Sequence, residues 1–175
     1  MVIMKVLILG IDGYIGVQMA QVLINRGHDV VGLDAGFYRE GWLYNGAEVT
    51  PKIITKDTRN ITLEDLIGFD AVIDPLGQHN PELTYAINHK AAVRVAELSK
   101  EAGVKRFIYS SSCSAYGIAT EDFVNEESVL NPQTAYAKCK VLVEEDVKKL
   151  ADENFSPTYM RNATVYGPSP RMRFD

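Results

Sequence analysis

Three glycines spaced by three, Gly10, Gly13 and Gly16, follow directly on an unbroken apolar run, Val6-Leu7-Ile8-Leu9. Nothing else in the 175 residues restricts the fold as much. The run has no polar alternation, which is how a strand buried on both faces reads. Residues 14–26 then take helical spacing, with Ile15, Met19, Val22 and Leu23 on one side and Gly27 as the cap. A buried strand, a glycine turn and a helix open a βαβ unit. Gly10 permits the tight turn, Gly13 lets backbone approach an anion, and Gly16 lets helix and strand pack closely. The helix aims free N–H groups and its positive dipole end at that anion.

Further along, the same alternation repeats. A second strand at 30–33 ends on Asp34. Residues 35–50 are irregular and aromatic (Phe37, Tyr38, Trp42, Tyr44) and read as a surface loop and lid. Ile53 and Ile54 make a third strand ending near Asp57, 63–67 a short helix, and 71–73 a fourth strand. A long helix at 83–102 closes at Gly103. A fifth strand at 107–110 leads into a loop to Gly117. A helix at 132–150 has Val141, Leu142 and Val147 as its buried stripe, and 158–161 form a sixth strand. This order predicts one α/β domain over 1–175, a Rossmann-type doubly wound parallel sheet with helices on both faces. Ligands in such sheets sit at the carboxyl ends of the strands.

Composition excludes several classes. With 46% hydrophobic and 23% charged residues the chain reads as an ordinary soluble domain. Its net charge of −5 argues against nucleic acid as a partner. The apolar opening is too short to span a bilayer and lacks the charged start of a signal peptide, so no membrane partner is expected. Cys113 and Cys139 give neither a disulfide framework nor metal spacing; they read as reduced thiols of a cytoplasmic protein, with no metal site.

The chemistry-bearing residues fall after the strands. A carboxylate at Asp34 accepts hydrogen bonds from both ribose hydroxyls of a dinucleotide and repels a 2′-phosphate, which favours NAD over NADP; a plain surface carboxylate is the alternative. The turn residues Gly10, Asp12, Gly13, Tyr14, Ile15 and Gly16 would hold the pyrophosphate side. Tyr136 and Lys140, four apart on a helix, share one face. An ammonium beside a phenol favours the phenolate, as acid–base work near neutral pH requires; an amphipathic surface pair has the same spacing. Ser112 follows the fifth strand, where its hydroxyl can hold a substrate oxygen. The run Ser110, Ser111, Ser112 and Ser114 reads equally as a polar strand end satisfying local backbone groups. Cys113 is either a reactive thiol or a small packing residue.

Four segments taken together resemble the extended short-chain dehydrogenases/reductases, in particular the NAD-dependent nucleotide-sugar epimerase/dehydratase group. They are Gly10-Ile11-Asp12-Gly13-Tyr14-Ile15-Gly16, the stretch from Lys105 to Gly117, Tyr136-Ala137-Lys138-Cys139-Lys140, and Arg161-Asn162-Ala163-Thr164-Val165-Tyr166-Gly167-Pro168. The resemblance implies NAD as cofactor, a nucleotide-sugar substrate, and a homodimer built through the two long helices. It implies Ser112, Tyr136 and Lys140 as the catalytic set, with Tyr136 and Lys140 also touching the nicotinamide ribose. It implies Asp57 and Thr58 against adenine, Asn88 at the cofactor near the active site, and Thr164 at the substrate. Epimerisation or simple oxidoreduction is favoured over dehydration, because Ser112-Cys113-Ser114 lacks the carboxylates of 4,6-dehydratases. A non-catalytic NAD-binding regulator or scaffold on the same fold is the other reading. Two departures stand out. Ala71-Val72-Ile73 runs into Asp74-Pro75-Leu76-Gly77 where the family has a His-Leu-Ala-Ala-like segment, so a stretch of cofactor wall is expected to be missing. The family's smaller carboxy-terminal substrate domain is expected to be largely absent from these residues.

Overall fold

The computed structural model describes residues 2–37, 39–40, 42–44, 51–78, 80–118 and 123–171. Six strands form one sheet: β1 (Lys5–Leu9), β2 (Asp29–Asp34), β3 (Lys52–Thr55), β4 (Ala71–Asp74), β5 (Arg106–Ser112) and β6 (Ser156–Asn162). Their order is β3-β2-β1-β4-β5-β6, and every pairing is parallel. The chain winds outward from β1 to β3 and then restarts at β4 on the other side of β1. The crevice between the carboxyl ends of β1 and β4 is therefore the switch point where such sheets bind ligands.

Strand β1 is buried on both faces, which is why it reads as continuous apolar sequence. Leu7 and Leu9 join Leu33, Val72, Phe107 and Val95 on one face; Val6 and Ile8 join Ile11, Ala20, Val30 and Ile73 on the other. Helix α1 (Tyr14–Asn25) covers the second face. Its C-terminus closes as expected at Gly27: the Gly27 N–H donates to Ile24 O at 2.8 Å and the His28 N–H to Leu23 O at 3.1 Å. Its inner face is Gly16, Val17 and Ala20, whereas Val22, expected on that side, is 48% exposed. The small residues win because α1 lies close against the turn below it.

The opposite face is covered by α2 (Pro81–Tyr85), α3 (Ala92–Glu101) and α4 (Ala135–Lys148). The single helix expected over 83–102 is instead α2 and α3 joined through one wide π-helical turn, Ala86–Ala91. Helix α4 starts at Ala135, capped by the Thr134 hydroxyl, which accepts from the Ala137 N–H at 3.1 Å. Its buried stripe is Ala137, Cys139, Lys140, Val143, Glu144 and Val147. Val147 is where it was expected, but Val141 and Leu142 are only half-buried, because the stripe is set by Lys140 pointing inward. The helix expected at 63–67 is a single 3-10 turn, Leu63–Asp65. Much of the loop read as a lid (Tyr38, Gly41 and 45–50) lies outside the described residues. No helix among the described residues is long and apolar enough to cross a membrane.

Candidate active site

The glycine turn sits at the switch point. Gly10 has a φ of +62°, and a Cβ there would come within 2.6 Å of Leu76 Cδ2. A Cβ on Gly16 would lie 2.7 Å from Ile11 Cα. Both positions exclude any larger residue, Gly10 by conformation and contact, Gly16 by contact. Gly13 is the N-cap of α1 and offers no side-chain cap, and the first turn, which holds Tyr14, Ile15 and Gly16, carries no acidic residue. That leaves an uncapped helix N-terminus facing the crevice, the arrangement that suits an anion. Tyr14 is tied elsewhere: its hydroxyl donates to Gly167 O at 2.8 Å, and Ser169 Oγ donates to Tyr14 O at 2.9 Å.

Asp34 ends β2 and is 9% exposed. Its Oδ2 accepts from the Asp12 N–H at 3.1 Å and its Oδ1 from the Gly36 N–H at 2.8 Å. Two backbone amides thus fix the carboxylate, and each oxygen retains a lone pair for a further donor. The Asp12 side chain is buried and bound to Arg39 Nε at 2.9 Å. Burial pushes its carboxyl above the usual range; Arg39 opposes this and Asp34 reinforces it. Asp57 caps the 3-10 turn that begins at Thr58 and holds the Arg59 guanidinium, with Nη2 at 2.6 Å. That hydrogen bonding keeps the Asp57 carboxyl below its ordinary value. The Lys56 N–H donates to Asp34 O at 2.9 Å, so the ends of β2 and β3 form one ledge.

The short segment after β4 packs against the glycine turn and against α4. Leu76 packs under Gly10, and Gly77 faces Tyr136, where a Cβ would be 3.6 Å from the hydroxyl. Asn88, on the π-helical turn, fixes this segment. Its Oδ1 accepts from the Gln78 N–H and its Nδ2 donates to Gln78 O, both at 2.7 Å. Its amide is therefore engaged by the loop after β4, where the resemblance expected it at the cofactor.

Lys140 is 1% exposed. Its Nζ donates to Leu76 O and to Ser110 O, each at 2.7 Å. It lies 4.5 Å from the Tyr109 ring centre and 5.4 Å from that of Tyr136. Burial pulls its ammonium down to about 8. Ser112, two residues past Ser110 at the end of β5, accepts from the Ser114 N–H at 3.1 Å and from Ser114 Oγ at 2.8 Å, so its own hydroxyl hydrogen remains to be given. The other serines do satisfy local structure. Ser110 Oγ accepts from Asn162 Nδ2 at 2.9 Å, and Ser111 Oγ donates to Glu144, which pairs with Arg161 Nη2 at 2.7 Å. Cys113 is exposed and Cys139 buried, both as free thiols, so Cys113 does not fill a core position. Among the described residues Thr164 is exposed and no hydrogen bond ties it to the crevice. No three His, Cys, Asp or Glu side chains gather there as a metal ligand set.

Sequence reading passed over Asp74, Arg39 and the Glu144–Arg161 pair. Only Asp74 gave a signal: Val72-Ile73-Asp74 repeats the pattern of Gly32-Leu33-Asp34, an apolar strand ending on a carboxylate.

A six-stranded parallel sheet with an uncapped glycine turn at its switch point and a fixed carboxylate ending β2 defines a dinucleotide-binding Rossmann domain. Residues 6–175 match the NAD dependent epimerase/dehydratase family, and the chain belongs to it. It is 29% identical to a UDP-glucose 4-epimerase of Lactobacillus helveticus, over 95% of this chain and 53% of that protein. Among solved structures it resembles TunA, an NAD-dependent NDP-hexosamine 5,6-dehydratase, with a TM-score of 0.81 and 26% identity over 96% of this chain and 57% of that one. MoeE5, solved with UDP-glucose and NAD, gives a TM-score of 0.73 and 27% identity over 95% of this chain and 56% of that one. The chain thus spans about half the length of these relatives.

Proposed function

We propose that these residues form the cofactor-binding and proton-handling half of a cytoplasmic NAD-dependent nucleotide-sugar epimerase or related oxidoreductase. One observation carries the reading: the Lys140 ammonium is buried between Leu76 O and Ser110 O and beneath the Tyr136 ring, with the wall that holds it resting on the glycine turn. Gly10, Gly13, Gly16 and the first turn of α1, including Ile15, receive the pyrophosphate. Asp12 steadies that turn through Arg39 and Asp34. Asp34 takes the adenosine ribose, and Asp57 with the Thr58 N–H flanks adenine. NAD supplies the hydride acceptor. Tyr136 Oη takes the proton of a sugar hydroxyl, helped by the nearby positive charge of Lys140. Ser112 gives its free hydrogen to the same sugar oxygen, and Thr164 stands at the substrate side. The pair of helices α2–α3 and α4 supplies the face through which two copies associate.

Redox chemistry is favoured over elimination because Ser112-Cys113-Ser114 holds no carboxylate. A silent NAD-binding scaffold would not need a buried lysine beside a tyrosine. The test is a panel of nucleotide sugars incubated with the protein and NAD, read by the near-ultraviolet absorbance of reduced nicotinamide and by epimer analysis of the sugar. With the whole protein that carries these residues, turnover of a nucleotide sugar is expected; tight NAD binding by it with no turnover of any sugar favours the scaffold reading.

A further inference from the structure

Asp74 is the last residue of β4 and is 1% exposed. Its Oδ1 accepts from the Leu76 N–H at 3.0 Å, while its Oδ2 is buried and has no hydrogen-bond partner among the described residues. A buried carboxylate with one oxygen unserved is costly unless a positive charge stands close by. Lys140 shows the complementary lack: its ammonium is buried, yet the oxygens it reaches, Leu76 O and Ser110 O, are neutral. Leu76 links the two, since its N–H holds Asp74 and its C=O holds Lys140.

The other ionisable groups around Lys140 are accounted for. Tyr109 of β5 donates its hydroxyl to Asn88 O at 3.2 Å, and burial with the Asp74 charge pushes its phenol far above the ordinary value. Cys139 of α4 is pushed up by burial. Glu144, one turn further along α4, is held by Arg161 and Ser111. Tyr136 is the group the lysine is meant to influence.

We propose that Asp74 is a positioning residue: its buried carboxylate keeps Lys140 protonated and thereby sets the proton affinity of Tyr136 Oη. This rests on the reading of Tyr136 and Lys140 given above. Burial draws Lys140 down to about 8 against the opposing charges of Asp74 first and Cys139 second; burial likewise pushes the Asp74 carboxyl up, with the Lys140 charge the first to oppose it. A neutral amine would no longer favour the phenolate.

Asp74→Asn isolates the charge, because the amide oxygen still accepts from the Leu76 N–H. The titration of Lys140 is followed in the cofactor-free protein by NMR of labelled lysine, assigned with Lys140→Met. In Asp74→Asn the lysine midpoint is expected to drop by at least one pH unit, and the rising limb of kcat/KM against pH to move upward with KM for NAD unchanged. An unmoved lysine midpoint overturns the proposal, even if turnover falls. Should Asp74→Asn not fold, the coupling is read from the other side: in Lys140→Met the Asp74 carboxyl midpoint rises by at least one pH unit, and a midpoint that stays put overturns the proposal. Neither NMR measurement depends on finding a substrate, so failure to turn over any nucleotide sugar counts against the proposed function alone.

Discussion

The two sides of the switch point treat their charges differently. On the β1–β3 side, Asp12, Asp34 and Asp57 each have matched partners: Arg39, two backbone N–H groups and Arg59 respectively. On the β4–β6 side, Asp74 leaves one oxygen unserved and Lys140 reaches only neutral carbonyls. Matched groups hold a shape and are ready for a ligand at little cost. Under-served buried groups leave charge to act on a neighbour, which proton transfer uses. Under the proposed function, the first side holds the cofactor and the second handles the proton.

The sharpest way to break that division is Tyr136→Phe. Turnover should fall by about 100- to 10,000-fold, the usual worth of a positioned acid–base group, while NAD affinity measured by calorimetry stays nearly intact. Equal loss of both would place Tyr136 on the binding side. Next in size is a stability effect of Lys140. Its value is drawn down from 10.5 to about 8. Below about pH 8 the folded and unfolded chains are both protonated there, and the burial penalty is complete. Between about 8 and 10.5 the unfolded chain binds the proton that the folded chain has lost, so stability rises with pH. The gain is about 3 kcal/mol in all. Urea unfolding at several pH values should show this slope in the wild type and its loss in Lys140→Met. Asp34→Asn should weaken NAD by about 10- to 100-fold, the range for hydrogen bonds to a charged acceptor, and narrow the preference over NADP. Unchanged selectivity would return Asp34 to a purely structural role. The smallest effect belongs to Thr164→Ala. At an exposed position stability should move by no more than about 0.5 kcal/mol, with NAD affinity unchanged.

The same contrast explains what the sequence made legible. Strand β1 declares itself because both its faces are buried, and Gly27 because a helix end needs it. Asp34 is legible because it depends on its place after a strand and a fixed distance from the glycine turn. Lys140 was legible as half of a spaced pair, but its inward direction shifted the α4 stripe to Val143, which periodicity among Val141, Leu142 and Val147 did not reveal. Asp74 looked like a departure from a familiar pattern. Its meaning comes from Leu76 and Lys140, the latter 64 residues from Leu76 in sequence, and local patterning carries no such information. The serine run divided for the same reason: alternate residues of β5 point to opposite faces, sending Ser111 to Glu144 and leaving Ser112 a free hydrogen.

The two bonds between Tyr14 and the Gly167–Ser169 stretch bear on how the molecule is made. Partners 153 and 155 positions apart close over the head of α1, and Ser169 is wholly shielded from solvent. As the polypeptide leaves the ribosome, β1 and α1 emerge well before this clasp and wait for it until the stretch up to residue 169 has been made. The glycine turn is thus locked long after it is made, so its protection against hydrogen exchange on the ribosome should appear only after residue 169 has cleared the exit tunnel.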